Sequence, residues 1–175
     1  ASVGSAVGPV DGDTVELLMR SADLALYRSK DRGGNTHHNY QHELHANAEE
    51  KRLMEFELRN ALARKQLHVE YQPVVDATGE NSLLGFEALV RWKNPKFGNV
   101  SPAKFVPVAE DARLIVPIGD FVLRQACKDA MSWPGDTRIA VNISVDQLTS
   151  PNFTDTVVSA LHDSGLPAYR IELEV

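Results

Sequence analysis

Along residues 83–92, Leu-Leu-Gly-Phe-Glu-Ala-Leu-Val-Arg-Trp, the chain is apolar enough for a buried strand, yet it carries Glu87 and Arg91. Strand side chains alternate, so Phe86, Ala88 and Val90 share one face and Glu87, Leu89 and Arg91 the other. A carboxylate and a guanidinium in such a strand must meet water, a partner or a metal. The plain alternative is an amphipathic strand whose second face is wet, with the two charges as neighbours on it.

The same patterning divides the rest of the chain. Residues 2–7 predict a small-residue strand, and Pro9-Val10-Asp11-Gly12-Asp13 a turn. Thr14 is a plausible N-cap for a helix through about Arg32, with Leu17, Leu18, Ala22, Ala25 and Leu26 at helical spacing and Gly33-Gly34 as its stop. His37 to His45 reads as a solvated linker helix. Its competing reading is a metal site, since His38, His42 and His45 would then share one face, but zinc wants further ligands that are not evident. An amphipathic helix follows, with Leu53, Phe56, Leu58, Leu62 and Ala63 opposed to Glu55, Glu57, Arg59 and Arg64, which puts a domain boundary near 45–50. From there strand and helix alternate, as in an α/β fold. Strands are expected at 67–76, 83–92, 138–145 and 170–175, with a turn around Gly79 and a loop from Lys93 to Ser101. Helices are expected from Ser101-Pro102 toward Leu114, after Pro117 with Val122, Leu123, Ala126 and Met131 on one face, and from Phe153 to Ser164 with Gly165 closing it.

Composition narrows the class. The chain has 175 residues, 43% hydrophobic and 24% charged, which describes a globular protein rather than a disordered one. A net charge of −6 argues against DNA or RNA as the main partner and still allows a local basic pocket for a phosphate ligand. Cys127 is the single cysteine, has no internal disulfide partner, and sits among apolar helical neighbours as a packing residue. That usage fits a reducing compartment and hence a cytoplasmic location. No membrane-spanning run or signal peptide is visible, although a longer parent could be anchored elsewhere. The Ala1–Val7 stretch and the run ending at Val175 both read as strands cut short, so the chain is expected to be a fragment.

Three strands carry an oxygen donor where an apolar residue is expected: Glu87, Asn142 and Glu174. In (β/α) barrels functional side chains gather at the carboxyl ends of several parallel strands. Carboxylate and amide oxygens without Cys or His suit a hard divalent ion such as Mg²⁺ or Mn²⁺. Each residue also has an ordinary explanation, as a buried amide holding backbone or a surface carboxylate. Glu172 shares a face with Glu174, and spacing does not choose between them.

Two resemblances sharpen this. The run Ser21-Ala-Asp-Leu-Ala-Leu-Tyr-Arg-Ser-Lys30, followed by Gly33 and Asn35, resembles the end of a GGDEF domain, the diguanylate cyclase fold. It covers about the last strand and helix of that domain, so residues 1–40 are expected to be its remnant and 41–50 a linker. Lys30 matches a lysine that contacts nucleotide phosphates in active members, whereas Gly34 stands where those members carry arginine. The cyclase signature itself is absent, and no cyclase activity is expected.

The second resemblance spans residues 51–175. Tyr71-Gln72-Pro73-Val74, Glu87-Ala-Leu-Val-Arg-Trp92, Ser101-Pro102 with Phe105-Val-Pro107, Ala109-Glu110, Ile118-Gly119, Val141-Asn-Ile-Ser144 and Glu172-Leu-Glu174 look like the first half of an EAL domain. The resemblance implies a partial, modified (β/α)8 TIM-like barrel and a phosphodiesterase that opens cyclic di-GMP to linear pGpG with two Mg²⁺ or Mn²⁺ ions. It implies Glu87, Asn142 and Glu174 as metal ligands, Gln72 and Arg91 as residues holding the dinucleotide, and Leu89 as lining the same site. No catalytic residue beyond these is assignable, because the family draws an aspartate pair, a lysine and further carboxylates from later strands. Arg113 stands where the family has glycine and is expected to disturb a helix end. The expectation is therefore a piece of a GGDEF–EAL signalling protein, inactive alone, and either homodimeric or self-associating. A non-catalytic cyclic di-GMP receptor and an unrelated metal-dependent barrel enzyme are the alternatives.

Overall fold

The computed structural model describes residues 1–31, 33–76 and 82–175, leaving the side chains of 42–48 aside. Two compact units are present, Ala1–Met54 and Glu55–Val175. In the first, β1 (Val3–Ser5) pairs in parallel with β2 (His37–Asn39), and helix α1 (Val15–Asp31) connects them. Thr14 Oγ1 accepts from the Leu17 N–H at 3.2 Å, as an N-cap should. Strand β2 corrects the linker-helix reading at 37–39, while from His42 the chain is helical as expected. Alternating polar residues carry no helical stripe, but β1 offers a free edge to pair with. His38 Nδ1 lies 3.0 Å from the Ser29 hydroxyl, which also donates to the Val3 carbonyl at 2.8 Å. His42 and His45 lie outside the described side chains, as does the turn at Gly79.

Helix α2 (His42–Arg59) ends four residues before the expected stripe does. Its buried residues are Met54, Glu57 and Leu58, followed by Ala61, while Leu53 and Phe56 are exposed, Phe56 by 59%. The stripe 54, 58, 61 is as helical as the expected one, but the charged Glu57 inside it disguised the pattern. Glu57 is only 4% exposed. It is matched by Lys96 Nζ at 2.6 Å and Arg64 Nη1 at 3.1 Å, with Asn94 Nδ2 at 3.5 Å. Those partners satisfy a carboxylate that burial would otherwise destabilise.

The second unit is built on a mixed sheet in the order β3–β4–β6–β7, with β5 paired to β4. Strands β3 (Leu67–Val75) and β4 (Leu83–Asn94) are antiparallel, whereas β4, β6 (Arg138–Asn142) and β7 (Ile171–Glu174) are parallel. The expected loop at 93–101 is partly a hairpin, in which β4 runs on to Asn94 and β5 (Gly98–Val100) folds back on it. Asn94 Oδ1 accepts from the N–H groups of Lys96 and Phe97, which makes the turn.

Helix α3 (Pro102–Asp111) starts with Pro at its first turn, and α4 (Ile115–Ala130) includes Pro117 in its own first turn rather than following it. Helix α4 repeats its buried residues at Val122, Leu123, Ala126, Cys127 and Ala130 and lays them on the sheet beside Ala88, Ile139 and Val141. Helix α6 (Phe153–Ser164) completes that layer with Ala160 and ends at left-handed Gly165, φ 76°. Cys127 is fully buried there, and desolvation pushes its thiol up to about 11, which leaves it an inert packing group. Arg170, also buried, donates to the Ala130 and Thr137 carbonyls at 2.8 and 2.9 Å and so satisfies the end of α4. No helix among the described residues is long and apolar enough to cross a membrane.

Candidate functional site

The helix-covered face takes Phe86, Ala88 and Val90 of β4 and Ile139 and Val141 of β6. Alternation therefore turns Glu87, Leu89, Arg91, Ala140, Asn142, Glu172 and Glu174 to the opposite, open face. Register then fixes who stands beside whom. Gln72 is opposite Glu87, Glu87 is level with Ala140, and Ala140 with Glu172. One step further along, Glu70 is opposite Leu89, and Asn142 is level with Glu174. Polar side chains from four strands thus occupy two adjoining rows.

Within those rows Asn142 Nδ2 donates to Glu87 Oε1 at 2.7 Å. The Glu174 carbonyl accepts from the Ile143 N–H at 2.7 Å, extending the β6–β7 pairing past Asn142. The Glu174 side chain lines a cavity of about 380 Å³ with Arg138, Ala140 and Glu172. A cavity of about 330 Å³ lies on the helix-covered side among Ala88, Val90, Val106, Ile115, Ile118 and Val122, with Leu89, Arg91 and Asn142 only at its edge. The structure therefore brings Glu87 and Asn142 into contact, sets Gln72, Leu89 and Arg91 around them by register, and places Glu174 level with Asn142 on the same face.

Local sequence explains why Asn142 ends its strand where it does. Ser144 caps helix α5 (Val145–Leu148) in a capping box: its hydroxyl accepts from the Gln147 N–H at 3.2 Å, and Gln147 Oε1 accepts from the Ser144 N–H at 3.2 Å. Gln147 is buried against Gly119, where an added Cβ would stand 2.0 Å from its Nε2. Behind Gln72, the Tyr71 hydroxyl donates to Asp129 Oδ2 at 2.6 Å, and the Tyr71 ring meets Trp133 edge-on at 5.0 Å. Burial, together with that carboxylate, pushes the Tyr71 phenol above its ordinary value, so it stays a neutral donor.

Sequence reading missed Glu70. Its Oε2 accepts from Arg91 Nε at 2.7 Å, and its Oε1 lies 3.7 Å from His68 Nε2. The signal was present as His68, Glu70 and Gln72, three polar residues at period two on one strand face.

Whether the donor set suits a divalent ion can be tested on its chemistry. Glu87, Asn142 and Glu174 offer oxygens only, which fits a hard cation such as Mg²⁺ or Mn²⁺. Among the described residues no group of three His, Cys, Asp or Glu could hold a metal ion. Asn142 turns its nitrogen toward Glu87, so a cation shared by the two needs the carboxamide rotated to present Oδ1. The donor atoms are of the right kind for such an ion, and of the three residues Glu87 and Asn142 are in contact.

The profile of the EAL domain family matches residues 55–175, and the chain belongs to that family. An uncharacterized signaling protein of Caulobacter vibrioides is 43% identical over the whole chain, which spans 22% of that relative. The bifunctional diguanylate cyclase/cyclic di-GMP phosphodiesterase MucR of Pseudomonas aeruginosa is 40% identical, and the chain spans 26% of it. Among solved structures, the PaMucR phosphodiesterase in complex with c-di-GMP superposes with a TM-score of 0.67 at 39% identity, over 70% of this chain and 51% of that one. The FimX EAL domain from Pseudomonas aeruginosa bound to c-di-GMP gives 0.61 at 26% identity, over 69% and 48%. The chain thus spans about a quarter of the curated relatives and about half of these solved chains.

Proposed function

We propose that residues 55–175 supply one side of a cyclic di-GMP site in a longer signalling protein that hydrolyses this dinucleotide to pGpG. The observation that carries the reading is the Glu87–Asn142 contact at 2.7 Å, with Glu174, Gln72, Leu89 and Arg91 aligned by strand register around it. The names of MucR and of its c-di-GMP complex, from a relative aligned over the whole chain, point the same way.

In this proposal Glu87, Asn142 and Glu174 hold the divalent cations. Bound Mg²⁺ or Mn²⁺ supplies charge neutralisation at phosphoryl oxygens and a water of lowered pKa. Arg91 reads a phosphate through its guanidinium fork, which pairs with such oxygens two at a time. Gln72 offers an amide beside it, and Leu89 an apolar contact. Residues 1–40 are proposed as the end of a GGDEF domain on the strength of the Ser21–Lys30 run. Turnover and self-association are assigned to the longer protein, and the 175-residue chain alone is proposed to be inactive.

The test is the Mg²⁺- or Mn²⁺-dependent conversion of cyclic di-GMP to pGpG by the full-length protein. Glu87→Gln should lower it by more than the about 10- to 100-fold that losing a partner behind the ligands costs. Unchanged turnover in that variant overturns the assignment. A second reading, a receptor that binds without turnover, is favoured by the Asn142 amide filling the place beside Glu87. Metal-independent binding with no pGpG formed by the wild type would select it.

A further inference from the structure

Resting on the cyclic di-GMP reading above, we propose that Glu70 is the positioning residue for Arg91: it holds the guanidinium by Nε so that the outer fork is ordered before a phosphate arrives. Arg91 lines an open groove with His68, Glu70 and Lys93. A long arginine side chain at such a place has many rotamers, and ordering it on binding costs affinity. Here two contacts fix it. Nε donates to Glu70 Oε2 at 2.7 Å, and Nη1 donates to the Val90 carbonyl at 3.2 Å.

The contact follows from strand register. Antiparallel pairing sets His68 opposite Arg91 and Glu70 opposite Leu89, so Glu70 meets Arg91 on the diagonal. Glu70 takes Nε and the Val90 carbonyl takes Nη1, and among the described residues no hydrogen bond to Nη2 competes with an anion. The arrangement has a cost, since the Glu70 carboxylate also repels a phosphate near Arg91. Position and charge therefore act in opposite directions, and two substitutions separate them. Glu70→Gln keeps an oxygen acceptor for Nε and removes the charge. Glu70→Ala removes both.

The experiment is equilibrium binding of cyclic di-GMP to the full-length protein in EDTA, where no turnover intervenes. Glu70→Gln should bind about threefold tighter than wild type at low salt, a gain that fades as salt rises. Glu70→Ala should bind at least about fivefold weaker than Glu70→Gln, the cost of ordering one long side chain. That gap must persist at high salt, since it is not a charge effect. Glu70 is exposed on a strand face, so both variants should melt as wild type does. Equal affinity of the Gln and Ala variants overturns the proposal and leaves Glu70 a counter-charge only. A wild type that binds no cyclic di-GMP overturns the functional reading and this proposal with it, a result distinguishable from the former because no variant then binds either.

Discussion

The two faces of the β3–β4–β6–β7 sheet are made from alternating residues of the same strands, and they serve opposite ends. On the helix-covered face Ala88, Ile139 and Val141 are buried against Leu123, Ala126 and Cys127. On the open face Asn142 pairs with Glu87 and Arg91 with Glu70. Burial stabilises the first face. The second adds little to folding, because exposed polar pairs are worth about 0–1 kcal/mol. A one-residue slip of any strand would exchange the two, so the packed face also holds the open face in register. The difference teaches that stability and chemistry here can be perturbed almost independently, one parity at a time.

The sharpest way to break that separation is a pair of substitutions. Leu123→Ala empties a fully buried position on the packed side and should cost about 2–5 kcal/mol in chemical denaturation. Glu87→Gln should leave the denaturation midpoint within about 1 kcal/mol of wild type while removing turnover. If Glu87→Gln unfolded the chain as readily as Leu123→Ala, the two faces would not be separable and the site reading would lose its basis.

A smaller effect is expected where a charge lies inside the packed structure. The Lys96 ammonium bonded to Glu57, then Asn94 and Arg64, hold its carboxyl below the usual range against the opposing effect of burial. A folded pKa below the unfolded one means that Glu57 stabilises fully above the ordinary carboxylate value. That contribution is lost as pH falls through the folded value. Thermal midpoints taken from about pH 6 down to about pH 3 should therefore show an acid limb. Glu57→Gln should be less stable at neutral pH and should converge on wild type in acid. A constant offset at every pH would mean that the Glu57 network acts by shape rather than charge.

How much was legible in the sequence follows from the same contrast. Period-two alternation was enough to put Glu87, Leu89 and Arg91 on one face, while Asn142 and Glu174 joined them only through the barrel analogy and the family resemblance. The spacing of His68, Glu70 and Gln72 marks a polar face of β3, but that Glu70 meets Arg91 depends on the β3–β4 pairing register, on which spacing within one strand is silent. Helix α2 failed for a different reason. Two stripes were equally periodic, and the one with a charge in it was the buried one because Lys96 and Arg64, the latter from the turn after the helix and the former from the β4–β5 turn, come to meet Glu57. Strand β2 exists because β1, more than thirty residues earlier, has an edge for it. Each miss is a long-range partner overruling a local pattern.

The smallest predicted effect compares two helix ends. Helix α6 stops at Gly165, φ 76°, and helix α3 stops at Arg113, φ 56°. Both residues sit in the left-handed region, where a Cβ crowds the backbone and glycine is the usual occupant. At Arg113 the geometry is a Schellman end: its N–H donates to the Glu110 carbonyl at 3.0 Å, and the Leu114 N–H donates to the Ala109 carbonyl at 2.7 Å. The arginine side chain is exposed there, so removing it gives up little packing. Arg113→Gly should relieve about 1–2 kcal/mol of left-handed strain and lose about 0.4–1 kcal/mol to the freer unfolded chain. The net expectation is a gain of about 0.5–1 kcal/mol in the denaturation midpoint, with binding unchanged. Gly165→Ala should shift stability in the opposite direction by a similar amount. If both substitutions destabilise, Arg113 is holding its helix end through a contact that outweighs its backbone strain.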